Sequence, residues 1–271
     1  MPPRSRSSTR LLLPARWWQG FRRAHGGTII ETSWCLFLDV DGTLLEFADT
    51  PDDVRVDAGL VGLMSRLARA LDGALALISG RSIAELDRLF APRRWPAAGV
   101  HGLERRDADG HWSVQRSLDA DALDSAREPL RRLVERTPGV LLEDKGLSLA
   151  VHFRRAPGSG PDMCAAVEAF EQASAGRLVA VHGADVIELR PIGATKADAV
   201  RAFLSEPPFA GRRPVFIGDD VTDQLALHQV ALLGGLAVAV GPRVVAPRRL
   251  EGPGHVRGFL EEMARQGRPP P

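Results

Sequence analysis

Residues 34–44 read Trp-Cys-Leu-Phe-Leu-Asp-Val-Asp-Gly-Thr-Leu, a short apolar run that leads into two closely spaced carboxylates. Such a run is typical of a strand buried on both faces of a parallel sheet. Asp39 and Asp41 are two positions apart, so on an extended chain their side chains point to the same face. Two like charges there are costly unless a cation or a proton lies between them. These residues indicate a functional site, and an ordinary polar turn is the alternative.

Strand and helix patterns alternate in two blocks of the sequence, before residue 103 and after residue 190. Such alternation predicts an α/β fold with a doubly wound, Rossmann-like parallel sheet and helices on both faces. Asp57 is a plausible N-cap for the first helix. The predicted elements are strands at 34–39, 74–78, 97–100, 214–217 and 236–240, and helices at 57–71, 82–90, 195–204 and 222–230.

The segment between these blocks follows another order, in which two strands and a helix are repeated. The predicted elements are strands at 103–106, 111–115, 140–143, 147–154, 177–181 and 186–190, and helices at 120–136 and 162–175. This order predicts an antiparallel sheet with helices on one face. We therefore expect a core domain of residues 33–102 and 191–271, interrupted by an inserted α+β domain at 103–190.

The composition favours a globular protein in water, with 271 residues of which 44% are hydrophobic. No apolar run reaches the roughly 20 residues that span a bilayer, so no membrane span is expected, and no nucleic-acid partner either. Cys35 and Cys164 have no redox or metal-ligand spacing, which favours free thiols in the cytoplasm. Residues 1–32 carry six arginines and one glutamate and are predicted to be a basic, mostly disordered extension.

A second acidic segment, Ile-Gly-Asp-Asp-Val-Thr-Asp at 217–223, ends another predicted strand and begins a helix. Asp220 or Thr222 can cap that helix, but capping does not account for Asp219 and Asp223 as well. The carboxyl ends of parallel strands share one edge of a sheet, so four or five carboxylates face one crevice. Mg²⁺ is the hard, oxygen-binding cation that would neutralise them.

Two further polar groups are predicted at the same edge. Ser79 follows a core strand and, with the amides near Gly80, can accept an anion. Lys196 lies at the start of a helix, where it can reach the carboxylates. Of the 35 basic residues only Lys145 and Lys196 are lysine, so a compact ammonium is favoured at these positions. A routine N-cap is the alternative for Ser79, and a solvated surface lysine for Lys196.

In order and spacing these segments resemble the motifs of haloacid dehalogenase superfamily phosphatases: Asp-x-Asp-Gly-Thr at 39–43, Ser79, Lys196 and Gly-Asp-Asp-x-x-Asp at 218–223. Together with residues 78–81, 98–104 and 186–191, they resemble the trehalose-6-phosphate phosphatase family within that superfamily. The resemblance covers residues 34 to about 245. Family members often have Gly after the lysine and Glu after the last aspartate, where this chain has Ala197 and Gln224.

The resemblance implies hydrolysis through a phosphorylated aspartate. Asp39 is then the nucleophile, and Asp41 is first a general acid and later a general base. Lys196 joins them as a catalytic residue. The implied ligands of Mg²⁺ are Asp39, the backbone carbonyl of Asp41, and Asp219, while Asp220 and Asp223 hold metal waters or Lys196.

The resemblance also implies that the insertion closes over the core as a cap that selects the sugar. The implied phosphate-binding residues are Thr43, Ser79, Gly80 and Lys196. Candidate sugar contacts in the cap and hinge are His101, Glu104, Lys145, Arg154 and Glu188. Glu188 facing solvent on a strand and His101 as a structural hinge residue are the alternatives for those two.

The expected reaction is hydrolysis of trehalose 6-phosphate to trehalose and phosphate, the last step of trehalose biosynthesis. A trehalose-6-phosphate synthase is the expected partner in the pathway. A phosphatase of the same superfamily that acts on another sugar phosphate, such as sucrose 6-phosphate, is the nearest alternative. A degenerate domain that binds a sugar phosphate without turnover is the alternative outside enzymes.

Overall fold

The computed structural model describes residues 34–48, 50, 53–114, 120–183, 185–193, 195–266 and 268–270. The prediction of a basic extension at residues 1–32 lies outside this part of the chain. The strands are, in order, β1 (Trp34–Leu38), β2 (Leu75–Ile78), β3 (Ala97–Gly99), β4 (Glu104–Arg106), β5 (Trp112–Val114), β6 (Leu141–Asp144), β7 (Leu149–His152), β8 (Leu178–His182), β9 (Val186–Pro191), β10 (Arg213–Gly218), β11 (Leu236–Val240) and β12 (Arg248–Leu250). The α-helices are α1 (Ala58–Ala70), α2 (Ile83–Leu89), α3 (Ala120–Glu135), α4 (Gly160–Ala173), α5 (Lys196–Leu204), α6 (Gln224–Leu232) and α7 (Pro253–Gln266).

The larger sheet has the strand order β12-β11-β10-β1-β2-β3-β4-β5, with β1 near its centre. The strands from β12 to β3 are parallel, which confirms the predicted α/β fold. Asp57 is the N-cap of α1, as predicted, and accepts a hydrogen bond from the amide of Leu60. In β1 the Phe37 ring is fully buried and packs against the rings of Phe203 and Phe209. An apolar strand between two helical layers therefore carries the chain to the edge where Asp39 begins.

The β4–β5 hairpin extends the larger sheet, whereas the sequence analysis grouped it with the insertion. After β3 the backbone reverses at Val100 and His101, whose φ angles are 45° and 56°. β4 then returns antiparallel beside β3, with Glu104 opposite Gly99. Edge strands next to a tight reversal pair with the strand that precedes them, so the hairpin belongs with the core sheet.

The smaller sheet contains β6, β7, β9 and β8 in that spatial order, all antiparallel. Its apolar residues and those of α3 and α4 form a separate hydrophobic cluster that includes Leu130, Val151, Val167 and Ile187. This is the predicted α+β arrangement of strands and helices. The name "cap layer" is used below for these four strands and two helices together with the described residues of the loops that join them.

The sequence analysis did not predict β12 or α7. Helix α7 buries Val256, Phe259, Leu260 and Met263 against the core, a helical spacing that was present in the sequence. The helix predicted at 222–230 begins later, because residues 221–223 form a 3₁₀ turn before α6. None of the helices in the described ranges is long and apolar enough to cross a bilayer.

Replacing Phe37 should destabilise the hydrophobic core without removing any polar group at the carboxyl end of β1. We expect Phe37→Ala to lower the free energy of unfolding by about 3–5 kcal/mol, because a fully buried ring is lost and a cavity remains. Urea denaturation of the full chain measures this. Leu232, whose side chain is 68% exposed on α6, provides the control. Leu232→Ala should change the same free energy by less than about 0.5 kcal/mol, and similar losses in both variants would contradict the packing described.

Candidate active site

The carboxyl ends of β1, β2 and β10 meet at one edge of the larger sheet. Leu38 at the end of β1 lies opposite Leu77 of β2 and Ile217 of β10. The residues that follow these strands therefore lie side by side, and they include Asp39, Ser79 and Asp219. The predicted convergence of the separate motifs is confirmed by this register.

Lys196 lies among the carboxylates at this edge. Its ammonium is 2.7 Å from an oxygen of Asp39 and 2.7 Å from an oxygen of Asp223. Thr195 and Asp198 form a capping box at the start of α5, which fixes the first turn of the helix where Lys196 lies. Because the residue is only 3% exposed, the alternative of a solvated surface lysine is wrong.

The site carries more negative than positive charge. One oxygen from each of Asp39, Asp219 and Asp223 lies within 4.8 Å of the others. Burial and the nearby Asp223 carboxylate raise the pKa of Asp39 to about 7. Burial and the Asp39 carboxylate likewise raise the pKa of Asp219 to about 8. Asp39, Asp219 and Asp223 are called the acidic triad below. The raised pKa values mean that Asp39 and Asp219 bind a proton more readily than an ordinary carboxylate when no metal ion is present, and a bound metal ion would lower these pKa values.

The side chain of Asp223 fixes the backbone of the loop at residues 219–223, which is called the acidic loop below. One of its oxygens accepts hydrogen bonds from the backbone amides of Asp219 and Asp220, at 3.1 and 3.0 Å. Its other oxygen accepts from Lys196, so the carboxylate is fully used by the protein. Burial alone would lower the pKa of Lys196, but the carboxylates of Asp223 and Asp39 raise it overall. Lys196 is therefore a permanent cation here.

Thr43 acts on a carboxylate rather than lining the open cleft. It is fully buried, and its hydroxyl donates a 3.1 Å hydrogen bond to Asp219. Gly42 before it has a φ of +80°, and a Cβ there would collide with the Asp219 carboxylate. The loop after β1 can approach the loop after β10 only because this residue is glycine.

Asp41 is paired with an arginine that the sequence analysis did not assign. Arg81 donates two parallel hydrogen bonds to the Asp41 carboxylate, at 2.7 and 2.8 Å. The side chain of Asp41 is thus held apart from the acidic triad, and the metal role implied for this residue is left to its backbone. Arg81 stood in the Ile-Ser-Gly-Arg segment used for the family resemblance, which was the available signal.

Asp220 also lies outside the triad, where it pairs with a second unassigned arginine. Arg243, in the loop after β11, is 3.0 Å from an oxygen of Asp220 and 3.2 Å from an oxygen of Asp219. No pattern in the sequence indicated this residue, because the loop that carries it has no motif. Arg243 lines the cleft above the carboxylates.

Ser79 and Gly80 line the cleft beside the nucleophile candidate. The capping role considered for Ser79 is wrong, because Ser82 caps α2 and forms its capping box. The Ser79 hydroxyl instead accepts a hydrogen bond from the amide of Arg81 at 3.1 Å. A Cβ on Gly80 would lie 2.7 Å from the ring of His101, so the glycine makes room for that ring.

Three of the candidate sugar contacts form a buried network between the core and the cap layer. His101 Nε2 is 2.7 Å from an oxygen of Glu188, and the Lys145 ammonium is 3.6 Å from the other oxygen. Lys145 also donates a 3.0 Å hydrogen bond to the carbonyl of Gly80. Burial alone would raise the pKa of Glu188, but Lys145 and His101 lower it overall, so the group is an anion. The solvent-facing alternative for Glu188 is wrong, since the residue is 7% exposed.

Arg154 forms another bridge from the cap layer to the core. Its guanidinium donates a 2.7 Å hydrogen bond to the carbonyl of Ala48 and lies 5.1 Å from the centre of the Phe47 ring. These contacts bring the cap layer over the carboxylate edge and leave a cleft between the two. The cleft is lined from both sides, by Asp39, Asp41, Ser79, Gly80 and Lys196 from the core and by Glu143, Lys145, His152, Arg154 and Glu188 from the cap layer.

Glu104 does not line this cleft, although it was a candidate sugar contact. Its carboxylate accepts a 2.5 Å hydrogen bond from the amide of Ile83, the first residue of α2. A carboxylate at this position satisfies a free amide and complements the helix dipole. The position of Glu104 is explained by helix capping across the sheet.

A parallel α/β sheet with a buried carboxylate paired to a buried lysine, and an acidic loop at its strand ends, is the arrangement of a phosphatase of the haloacid dehalogenase superfamily. A sequence profile of the trehalose-phosphatase family matches residues 37–241. The chain belongs to the trehalose-phosphatase family.

Individual relatives agree with this assignment. The "Probable trehalose-phosphate phosphatase" of Sinorhizobium fredii is 43% identical over 218 residues, which cover 80% of this chain and 82% of the relative. The "Trehalose-6-phosphate phosphatase" of Escherichia coli is 40% identical over 233 residues, which cover 86% and 87%. A solved structure described as a trehalose-6-phosphate phosphatase related protein has a TM-score of 0.74 at 26% identity, covering 87% of this chain and 98% of that chain.

The position of Glu104 leads to a prediction that separates stability from activity. Glu104→Ala should lower the free energy of unfolding by about 1–3 kcal/mol, because the amide of Ile83 loses its buried acceptor. Phosphatase activity per folded molecule should stay within twofold of the wild type. Urea denaturation and p-nitrophenyl phosphate hydrolysis measure the two quantities. A large loss of activity with unchanged stability would return Glu104 to the site.

Proposed function

We propose that this protein hydrolyses trehalose 6-phosphate to trehalose and inorganic phosphate. The observation that supports this most directly is the contact of Asp39 with Lys196 beside Asp219, facing a cleft between the core and the cap layer. The family and the named relatives support the choice of trehalose 6-phosphate as substrate.

In the first step an oxygen of Asp39 attacks phosphorus, and the bond from phosphorus to the sugar oxygen breaks. This step leaves a phosphorylated Asp39 and the sugar alkoxide, which takes up a proton. Asp39 must be deprotonated to attack, and its contact with the ammonium of Lys196 favours that form. In the second step water attacks phosphorus, loses a proton, and releases phosphate from Asp39.

Asp41 is the group that we propose gives the proton to the sugar and later takes one from water. In the structure its carboxylate accepts two hydrogen bonds from Arg81. Both carboxylate oxygens are occupied by Arg81, so these contacts must loosen before Asp41 can contact the sugar oxygen. A phosphate dianion entering the cleft competes for the same guanidinium, and this would free Asp41 when substrate binds.

The phosphoryl oxygens are proposed to contact the Ser79 hydroxyl, the backbone at Gly80 and the Lys196 ammonium, all of which line the cleft. These are fixed donors and a fixed charge, and the side chains of Ser79 and Lys196 are buried at the floor of the cleft. Thr43 contributes indirectly, by donating its hydrogen bond to Asp219.

Mg²⁺ fits the acidic triad because its three carboxylates are faced by only two cations among the described residues, Lys196 and Arg243, and are oxygen ligands of the kind that it prefers. Asp39 and Asp219 are proposed as its side-chain ligands, since Asp223 is already used by Lys196 and two amides. A bound Mg²⁺ would supply positive charge next to the phosphoryl group and neutralise the carboxylates that otherwise repel it.

The cap layer is proposed to select the sugar. Lys145 and His101 both lie beside Glu188, and Nδ1 of the buried His101 has no hydrogen-bond partner among the described residues, so sugar hydroxyls would bind this nitrogen and replace part of the other contacts. Arg154, at the entrance, is the fourth proposed sugar contact. The division into a core at 33–102 and 191–271 and a cap at 103–190 is retained for function, although the β4–β5 hairpin pairs with the core sheet. The cytoplasmic location and the synthase partner stay predictions.

A substrate panel tests the proposed reaction. Phosphate release should be at least tenfold faster with trehalose 6-phosphate than with sucrose 6-phosphate or glucose 6-phosphate, because only a matching sugar engages the cap layer. EDTA should abolish the activity and Mg²⁺ should restore it. Asp39→Asn, which removes the nucleophile at nearly constant volume, serves as the inactive control. A preference for sucrose 6-phosphate would overturn the substrate while leaving the phosphatase chemistry, and an active Asp39→Asn would overturn the mechanism.

A variant of Lys145 tests the role of the cap layer. Lys145→Met keeps the apolar part of the side chain and removes the ammonium near Glu188. We expect kcat/KM for trehalose 6-phosphate to fall at least about tenfold, while hydrolysis of p-nitrophenyl phosphate changes less than threefold, because a remote contact helps only a substrate that reaches it. Arg131→Met, an exposed cap-layer variant, should change neither rate. Equal losses on both substrates would show that Lys145 supports the fold.

A further inference from the structure

Arg243 is a charged residue of the cleft that the proposed reaction does not use. Its guanidinium contacts Asp219 and Asp220 and lies 5.2 Å from the centre of the Phe47 ring. The side chain is 34% exposed, so the contact is open to solvent on one side. Arg243 is therefore a cation in direct contact with Asp219, one of the two side chains proposed to hold Mg²⁺.

The loop that carries Arg243 is fixed by contacts on both sides of it. The Gln224 side chain donates a hydrogen bond to the carbonyl of Val245 and accepts one from its amide, both at 2.9 Å. Arg249 donates to the carbonyls of Gly241 and Val244. A loop held at both ends places its arginine at a definite position.

Gln224 is one of the two departures from the family pattern, and its contacts explain what this side chain provides. The Gln224 amide both donates to and accepts from the backbone of Val245, whereas an ionised glutamate could only accept. The glutamine therefore fastens the loop to the start of α6, one residue after Asp223. Gln224 is a positioning residue for Arg243.

The contact between Arg243 and Asp219 has an energetic consequence for the metal site. A guanidinium beside a carboxylate already neutralises part of its charge, and it repels a second cation that approaches the same group. Binding of a divalent cation must therefore weaken the contact with Arg243, and the contact must weaken cation binding by the same factor. The cluster is partly neutralised when no cation is bound, and this stabilises the fold in that state.

We propose that Arg243 is a built-in counter-ion that holds Asp219 and Asp220 in the metal-free protein and competes with the divalent cation for Asp219. This inference rests on the metal site proposed above. Arg243 sets the affinity of that site, so that Mg²⁺ binds less tightly than the carboxylates alone would allow.

The test is calorimetric titration of the full chain with MgCl₂, without substrate. Arg243→Gln should bind Mg²⁺ about tenfold more tightly than the wild type, the effect of one charge-assisted contact at a partly exposed site. Arg243→Lys keeps the charge and should stay within about threefold of the wild type. Arg265→Gln, which removes an exposed ion pair on α7, should leave the affinity unchanged. In EDTA the midpoint of thermal unfolding should be lower for Arg243→Gln, and the rise on adding Mg²⁺ should be larger.

An Arg243→Gln affinity equal to or weaker than that of the wild type would overturn the inference, as would an Arg243→Lys variant that behaves like Arg243→Gln. If the wild type binds no Mg²⁺, the metal site itself is wrong and the inference falls with it. If Arg243→Gln does not fold, Gln224→Met releases the loop instead and should tighten Mg²⁺ binding about threefold, a smaller effect because the charge remains nearby. An unchanged affinity in that variant would overturn the inference.

Discussion

An excess of negative charge lies at the carboxyl ends of β1 and β10, and the other charged residues of the site are placed so that they offset it. Asp39, Asp219 and Asp223 are brought together by strand register and are buried there. Buried like charges are tolerated only when cations face them. Lys196 is the fixed cation of this group. Burying these carboxylates together lowers the stability of the fold. The same carboxylates are suited to bind a divalent cation, and that cation would attract a phosphoryl group.

On the other side of the cleft, charged groups of the cap layer also lie beside groups of opposite charge. Glu188 lies 2.7 Å from His101 and 3.6 Å from the Lys145 ammonium, and Lys145 joins the cap layer to the core by its hydrogen bond to the Gly80 carbonyl. Glu188 and Lys145 thus have partners of opposite charge in the protein itself, whereas Nδ1 of the buried His101 has no hydrogen-bond partner among the described residues. A ligand that replaces the contact between Lys145 and Glu188 gains affinity only by the difference between its own contacts and this one.

Much of the fold was predictable because its signals are local. Apolar runs, helical spacing and caps such as Asp57 identified the alternating elements of the core and the repeated order of the insertion. The position of the β4–β5 hairpin was not predictable, because a strand pattern does not say which sheet the strand joins. The backbone reverses at Val100 and His101, two residues with positive φ that are not glycine, and this reversal places β4 beside β3 in the larger sheet.

The sequence by itself determined which residues are the candidates for the chemistry, since Asp39, Asp219 and Lys196 follow strands or begin helices whose ends must share one edge. Only the tertiary structure decided which charges are paired. Arg81 reaches Asp41 across 40 residues of sequence, and Arg243 reaches Asp219 across 24. Pairs of this kind depend on loop conformations that are set by packing elsewhere, and a charged residue in a loop carries no periodic pattern that would reveal its partner.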